Sequence, residues 1–211
     1  MAFIANTAFE FKVPSDLPHE VLVSGKFGTY SDSTYSGVDA SAGQLAVRTA
    51  QTANGAYADA KDYQGNAYPF KNINDWIFTE ATSGAVTGKP GDHTGLFALD
   101  VSDVQKTTVG SNVYNVGAET LGIGLPAGER GSWRELRVGQ MYKFGAGNLT
   151  TAISTNAYAT VSSHGLLTPA ASAPTDGSVY FILRGTEPFN AGSVYKGAGY
   201  IYECARSVAS T

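Results

Sequence analysis

Short apolar runs that end at glycine or proline constrain the fold of this chain more than any other feature. The 211 residues include 25 Gly and 8 Pro. Between these breaks the runs are short and rich in aromatic and β-branched side chains, which is typical of β-strands joined by tight turns. They lie at residues 96–99, 113–116, 136–138, 141–144, 179–184 and 200–204. We predict a mainly β fold, with a β-barrel or β-sandwich core, long Gly/Ser/Thr-rich loops and little helix.

The runs at 179–184 and 200–204 are the strongest, and we expect them in the centre of a sheet. The N-terminal half has a weaker pattern. Residues 9–13 alternate with period two and predict a strand, whereas 28–39 is polar without periodicity and predicts a surface loop or arm. A Gly/Thr/Lys/Pro-rich stretch at 81–95 indicates a boundary. We therefore predict an N-terminal β-rich region with an extended arm at 1–88 and a C-terminal β-barrel or sandwich at 89–211, with one single domain as the alternative.

Sparse charge argues against nucleic-acid binding. Charged residues are 15% of the chain and the formal net charge is −4. A nucleic-acid interface needs a basic stripe that displaces counterions from phosphates. The nearest candidate has Arg130, Arg134, Arg137 and Lys143, but Glu135 lies among them. We predict no direct nucleic-acid contact and a surface that a protein partner partly covers.

The chain also lacks the patterns of membrane insertion. No window approaches eighteen consecutive apolar residues, and the first residues have neither a basic segment nor a long apolar stretch. We predict no membrane span and no secretory signal, and therefore synthesis in the host cytoplasm.

The candidate catalytic and metal-binding motifs lack the surrounding sequence that such sites require. Residues 122–127 fit a dinucleotide-binding fingerprint loosely, but Pro126 and the glycines after it prevent the required helix. His93 lies in a Gly-flanked turn, where an exposed histidine is a simpler interpretation than a ligand. Cys204 lies in a strand-like run and is expected to be a buried small hydrophobe. We predict no enzymatic activity, no cofactor and no metal site.

Aromatic side chains are the best candidates for partner contacts. Phe3, Phe9 and Phe11 are large apolar groups close to the start of the sequence, and we expect the segment 2–13 to touch a partner. Trp76 and Trp133 are the two tryptophans, whose rings could provide a platform for a sugar on a β fold.

Several segments resemble the auxiliary head proteins of tailed bacteriophages, which decorate or cement the capsid. The segments lie at 94–101, 117–130, 136–149 and 165–169, and the resemblance covers roughly the C-terminal half. It implies a structural virion protein that binds the outer capsid surface, has the major capsid protein as its partner, forms a homo-oligomer and stabilises the lattice against packed DNA.

Two other functions remain open at this point. A tail-tube or head-fibre subunit would share the same β-rich, weakly charged composition. A carbohydrate-binding or host-recognition module would use the exposed aromatic residues instead.

Overall fold

The computed structural model describes residues 3–12, 22–31, 34–49, 76–82, 92–101, 105–109, 112–116, 124–191 and 194–208. These residues form a mainly β protein whose helical content is limited to two short 3₁₀ turns, which confirms the predicted fold class. Within these ranges, no helix has the length and apolar character needed to cross a membrane.

Five strands close into a β-barrel. They are β2 (Leu22–Ser31), β5 (Leu45–Thr49), β6 (Trp76–Glu80), β7 (His93–Asp100) and β11 (Arg130–Arg137). The order around the barrel is β2, β11, β7, β5 and β6, and β6 returns to β2. The β2–β6 pair is parallel and the other pairs are antiparallel. Because the last strand pairs with the first, this barrel has no free strand edge.

A six-stranded antiparallel sheet packs against the barrel. Its strands, in spatial order, are β1 (Phe9–Lys12), β12 (Met141–Gly145), β18 (Gly199–Arg206), β15 (Val179–Thr186), β13 (Tyr158–Val161) and β14 (Leu167–Ala170). The two strongest predicted strands are therefore adjacent at its centre, as expected.

The remaining elements are short. They are β3 (Thr34–Gly37), which pairs with β2; the two-residue ribbon of β4 (Ala40–Ser41) and β10 (Gly124–Leu125); the hairpins β8 (Gln105–Val109) with β9 (Asn112–Val116) and β16 (Phe189–Ala191) with β17 (Val194–Gly197); and the 3₁₀ turns η1 (Ala146–Asn148) and η2 (Ser163–Gly165).

Aromatic rings fill the barrel. The Trp133 ring stacks between Phe78, at 4.7 Å between centroids, and Phe27, at 5.4 Å. Phe97 meets Phe78 edge-on at 5.1 Å. The indole Nε1 of Trp133 donates to the Gly25 carbonyl at 3.2 Å, so its one polar group is satisfied inside the barrel.

A second core lies between the barrel and the sheet. The outer wall of the barrel contributes Leu45, Leu96, Ala98 and Leu136, and the sheet contributes Phe9, Tyr142, Phe144, Phe181 and Tyr202, all of which are fully buried. Strand β7 is thus buried on both faces, with Phe97 and Leu99 inside the barrel and Leu96 and Ala98 facing the sheet. This explains why residues 96–99 are a continuous apolar run rather than an alternating one.

Asn148 joins three parts of the fold. Its side-chain oxygen accepts hydrogen bonds from the backbone N–H groups of Ala8 at 3.0 Å and Gly145 at 3.1 Å, and its amide donates to the Ala42 carbonyl at 2.7 Å. The N-terminal segment, the β12–η1 corner and the β4–β5 turn meet at this buried side chain. The approach is close enough that a Cβ on Gly147 would collide with the Ala5 carbonyl oxygen.

One interpretation of the N-terminal half changes. The predicted loop or arm at 28–39 is wrong for most of its length, because β2 continues to Ser31 and pairs with β3 as a hairpin. The predicted domain division between 88 and 89 stays a prediction. The barrel takes β2, β5 and β6 from one side and β7 and β11 from the other, while β1 joins the C-terminal sheet. Of the predicted boundary stretch, residues 83–91 lie outside the described residues.

Candidate binding surfaces

The predicted N-terminal contact residues lie at different depths. Phe9 is fully buried and packs against Tyr142 and Phe144. Phe11 is half-buried, with the Arg134 guanidinium 4.7 Å from its ring centroid. Phe3 is half-buried beside Gly124, where an added Cβ would lie 2.7 Å from the Phe3 Cδ1 atom. Burial removes Phe9 from the set of surface contacts, because its side chain is in the core between sheet and barrel.

The two tryptophans do not form a shared platform. Trp133 is fully buried in the barrel, so it has no face to offer a ligand. Trp76 is half-buried at the start of β6, and the Arg48 guanidinium lies 4.1 Å from its ring centroid. A cation over the ring at this distance covers one aromatic face. The two tryptophans therefore do not form an exposed pair that could bind a sugar.

The β4–β10 ribbon has apolar side chains at its margin. The Ile4 backbone N–H donates to the Ser41 hydroxyl at 2.9 Å, which places Ile4 beside β4. Val38 precedes the same strand, and its N–H donates to the Phe27 carbonyl at 3.1 Å. Ile4 is 36% and Val38 47% exposed, and the Phe3 ring lies beside Gly124 on the opposite strand, β10. We call Phe3, Ile4 and Val38 the apolar rim.

A buried ion pair fastens the outer wall of the barrel. Arg134 Nε lies 2.6 Å from Asp100 Oδ2, and both side chains are less than a tenth exposed. Removing one partner of such a pair leaves an uncompensated charge in a low-dielectric environment. The basic residue that the sequence placed in a candidate basic segment is thus a structural group of the β7–β11 pair.

Four charged residues form a cluster on the side of the sheet away from the barrel. Lys143 Nζ lies 2.5 Å from Glu10 and 3.0 Å from Glu187, and Lys12 Nζ lies 2.9 Å and 2.7 Å from the same two carboxylates. The Lys143 side chain is only 4% exposed, because the Phe189 ring lies 4.3 Å above its ammonium group. We call these four residues the lysine cluster.

The contacts in the cluster shift the pKa values of Glu10, Glu187 and Lys12. Burial alone would raise the pKa of Glu10, but its hydrogen bonds and charge attraction to Lys143 and Lys12 outweigh burial and lower it. Hydrogen bonds from Lys12 and Lys143 lower the pKa of Glu187. Burial opposes the charged form of Lys12, but Glu187 and Glu10 raise its pKa overall. Each of these three shifts favours the charged form of its group. The lysine cluster joins β1, β12 and the turn after β15.

His93 and Glu135 form the arrangement most similar to a catalytic pair. His93 Nδ1 lies 3.0 Å from Glu135 Oε2, and the His93 side chain is about half exposed. The adjacent hydroxyl, that of Thr94, donates to the Leu136 carbonyl and accepts from the Leu96 N–H. A histidine–carboxylate pair needs a third group to act upon, and this hydroxyl is already used by the backbone. The pair links the neighbouring strands β7 and β11.

Cys204 is completely buried, which confirms its expected role as a small hydrophobe. Burial raises the pKa of its thiol, so the reactive thiolate is disfavoured. Across the described ranges, no group of three or more His, Cys, Asp or Glu side chains could hold a metal ion.

The outer face of the sheet has a feature that the sequence analysis missed. On β13 and β15 the buried residues Ala159, Val161, Val179 and Phe181 face the barrel, so Tyr158, Thr160, Tyr180 and Ile182 point the other way. All four are half-buried. The Tyr158 and Tyr180 rings are in contact, with centroids 6.0 Å apart. Alternation in residues 158–161 and 179–182 was the available signal, but it could not tell which face would be covered.

Comparisons with protein-family models, with curated proteins and with solved structures find no match for this chain.

Proposed function

We propose that this chain is a structural virion protein that binds the outer surface of a phage capsid and stabilises its lattice, as its resemblance to auxiliary head proteins implies. The observation that carries the proposal is the set of polar contacts that brace the sheet, the barrel wall and the junction between them. Asn148 and the lysine cluster link elements that are far apart in sequence. The Arg134–Asp100 pair fastens the barrel wall.

Such bracing suits a protein that must transmit strain between capsid subunits. A closed barrel has no edge strand from which it can be peeled. The buried polar groups each fix a unique arrangement of the elements they join, since moving one element would leave a buried group without its partner. A protein that holds capsid subunits together needs this stiffness, because a soft linker would stretch under the strain between the subunits instead of resisting it.

The apolar rim is the best candidate for the capsid contact. Ile4 and Val38 are among the few large apolar side chains that are exposed in the described residues. Covering them against a partner would remove apolar surface from water, which favours association. Phe3, one of the predicted contact residues, belongs to the same rim, and we include it in the proposed contact.

A co-sedimentation assay with undecorated, expanded capsids tests the proposal. We expect saturable binding by the parent chain, and at least a tenfold loss of affinity for Ile4→Asp and for Val38→Asp. Val208→Asp is the matched control, because Val208 is 87% exposed and lies near the other end of the chain. Circular dichroism should show the same β spectrum for all variants.

Absence of capsid binding by the parent chain, or equal binding to unrelated protein surfaces, would contradict the proposal. Rings or filaments formed by the purified chain alone would favour the tail-tube alternative instead. Equal loss of binding in Val208→Asp would show that the apolar rim is not the specific contact.

A further inference from the structure

The outer face of the sheet has an uncharged patch on three neighbouring strands, β13, β14 and β15. Cross-strand pairing places Tyr158 between Ile182 and Ala170, and Thr160 between Tyr180 and Thr168. These six residues form two rows across β14, β13 and β15. We call them the tyrosine patch. Each is half-buried.

The size of the tyrosine patch favours a small ligand over a second protein. Two strand spacings of about 4.8 Å and one two-residue step of about 7 Å separate the outermost Cα positions. With the side chains included, the exposed area is on the order of 200 Å², well below the roughly 800 Å² that each partner buries in a stable protein interface. A homodimer built on this patch alone would be too small to persist.

The chemistry of the tyrosine patch favours a neutral, hydroxyl-rich ligand. Tyrosine has an aromatic face for C–H groups and a hydroxyl at its wet end. Within the described part of the chain, neither the Tyr158 nor the Tyr180 hydroxyl has a hydrogen-bond partner. The Thr168 hydroxyl shares a hydrogen bond with Thr150 at 3.0 Å, which fixes its position while leaving acceptor capacity.

Charge excludes the main competing ligand, a nucleic acid strand. Bases also stack on tyrosine, but their phosphates require unpaired basic groups nearby. The closest basic residue on β15 is Arg184, whose Nε and terminal nitrogen both lie 2.6 Å from the Glu203 carboxylate on β18. That ion pair cancels the positive charge at the margin of the patch.

We propose that the tyrosine patch is a binding site for a neutral saccharide, in which the Tyr158 and Tyr180 rings pack against the sugar and the Thr160 and Thr168 hydroxyls bond to its hydroxyl groups. The site lies on different strands from the apolar rim. A chain seated on a capsid through the rim would therefore have a separate surface for glycans, and the two functions can be tested independently.

The test is saturation-transfer NMR on the full chain, with neutral tetrasaccharides and hexasaccharides of glucose, galactose and N-acetylglucosamine as probes. We expect transfer to at least one probe, with at least a tenfold loss of affinity in Tyr158→Ala and Tyr180→Ala. Tyr158→Phe keeps the ring and should stay within about threefold of the parent, because stacking contributes more than one hydroxyl at a partly exposed site.

Trp76→Ala is the matched control, since Trp76 is also a half-buried aromatic residue on a strand. It should bind the probe as the parent does. Transfer to none of the probes would overturn the proposal, and so would binding that survives both tyrosine variants or that depends on Trp76. Amide chemical shifts of the parent and variants check that the sheet is intact.

Discussion

Replacement of Asn148 by alanine tests the bracing of the fold most sharply. The change removes three hydrogen bonds, to Ala8, Gly145 and Ala42, from a side chain that is 1% exposed. The Gly145 N–H keeps a second acceptor, the Ala8 carbonyl at 2.9 Å, but the Ala8 N–H and the Ala42 carbonyl lose the Asn148 contact. A hydrogen bond contributes about 1 kcal/mol, and a buried group without a partner costs about 1–3 kcal/mol.

The free energy of unfolding should therefore fall by about 3 kcal/mol in Asn148→Ala. With an m-value of about 2 kcal/mol per molar urea, the unfolding midpoint should fall by about 1.5 M. The thermal midpoint should fall by about 6–12 °C. Hydrogen exchange of the β1 amides should also accelerate, because Asn148 holds the residue that precedes this strand.

Asn156→Ala is the control, because Asn156 is a half-buried loop residue and makes no hydrogen bond within the described ranges. It should change stability by less than about 0.5 kcal/mol. If Asn148→Ala were as stable as this control, the idea that Asn148 joins the N-terminal segment, sheet and barrel would be refuted.

Three further changes test other contacts. Tyr202→Phe should keep or raise stability, by up to about 1 kcal/mol in urea unfolding, because no described residue bonds the buried Tyr202 hydroxyl; a loss above that amount would reveal a bond to it. Asp100→Ala should lower the free energy of unfolding by about 3–5 kcal/mol, because it leaves Arg134 buried without this carboxylate; an unchanged urea midpoint would contradict this. The pKa values of Glu10 and Glu187 are lowered in the fold, so their stabilising contribution is present above the ordinary value of 4.5 and is lost as pH falls through the lowered values. Urea midpoints measured from pH 7 to pH 2 should show a smaller decrease in the Glu10→Gln/Glu187→Gln double variant than in the parent, and parallel curves would argue against the effect.

The strands of this fold could be predicted from local sequence because each signal is local. The alternation in residues 200–204 follows from one face of β18 packing on the barrel, where Tyr202 and Cys204 are buried. Glycine and proline mark the ends of these runs because they favour the tight turns that join one strand to the next. The long apolar stretch at 96–99 is equally informative, because a strand covered on both faces needs no polar position.

The pairing of strands could not be predicted, because it depends on contacts far apart in sequence. Phe9 pairs with Phe144, so a segment near the start of the chain becomes the edge of a C-terminal sheet. The position of Phe9 in the sequence does not indicate whether its side chain is buried or exposed. The sequence of the β2–β3 hairpin predicts a loop because its Gly, Ser, Thr and Tyr residues lack an apolar period, although backbone pairing still forms there.

The candidate surfaces were predicted only in part, because residue type does not specify environment. Trp133 is a predicted contact residue because its ring could bind a partner, yet the barrel encloses it. Tyr158 and Tyr180 have no distinctive sequence signal because they occur in ordinary alternating strands, and only the sheet register brings their rings together.

Titration of undecorated capsids with the purified chain tests the central claim most directly. The capsids should be assembled from the major capsid protein of the genome that encodes this chain, and bound protein and capsid heat resistance should be measured together. A structural capsid protein predicts binding that saturates at a fixed copy number per capsid, with a rise in the temperature at which the capsid disrupts. Capsids that neither retain the chain nor gain heat resistance would contradict the account.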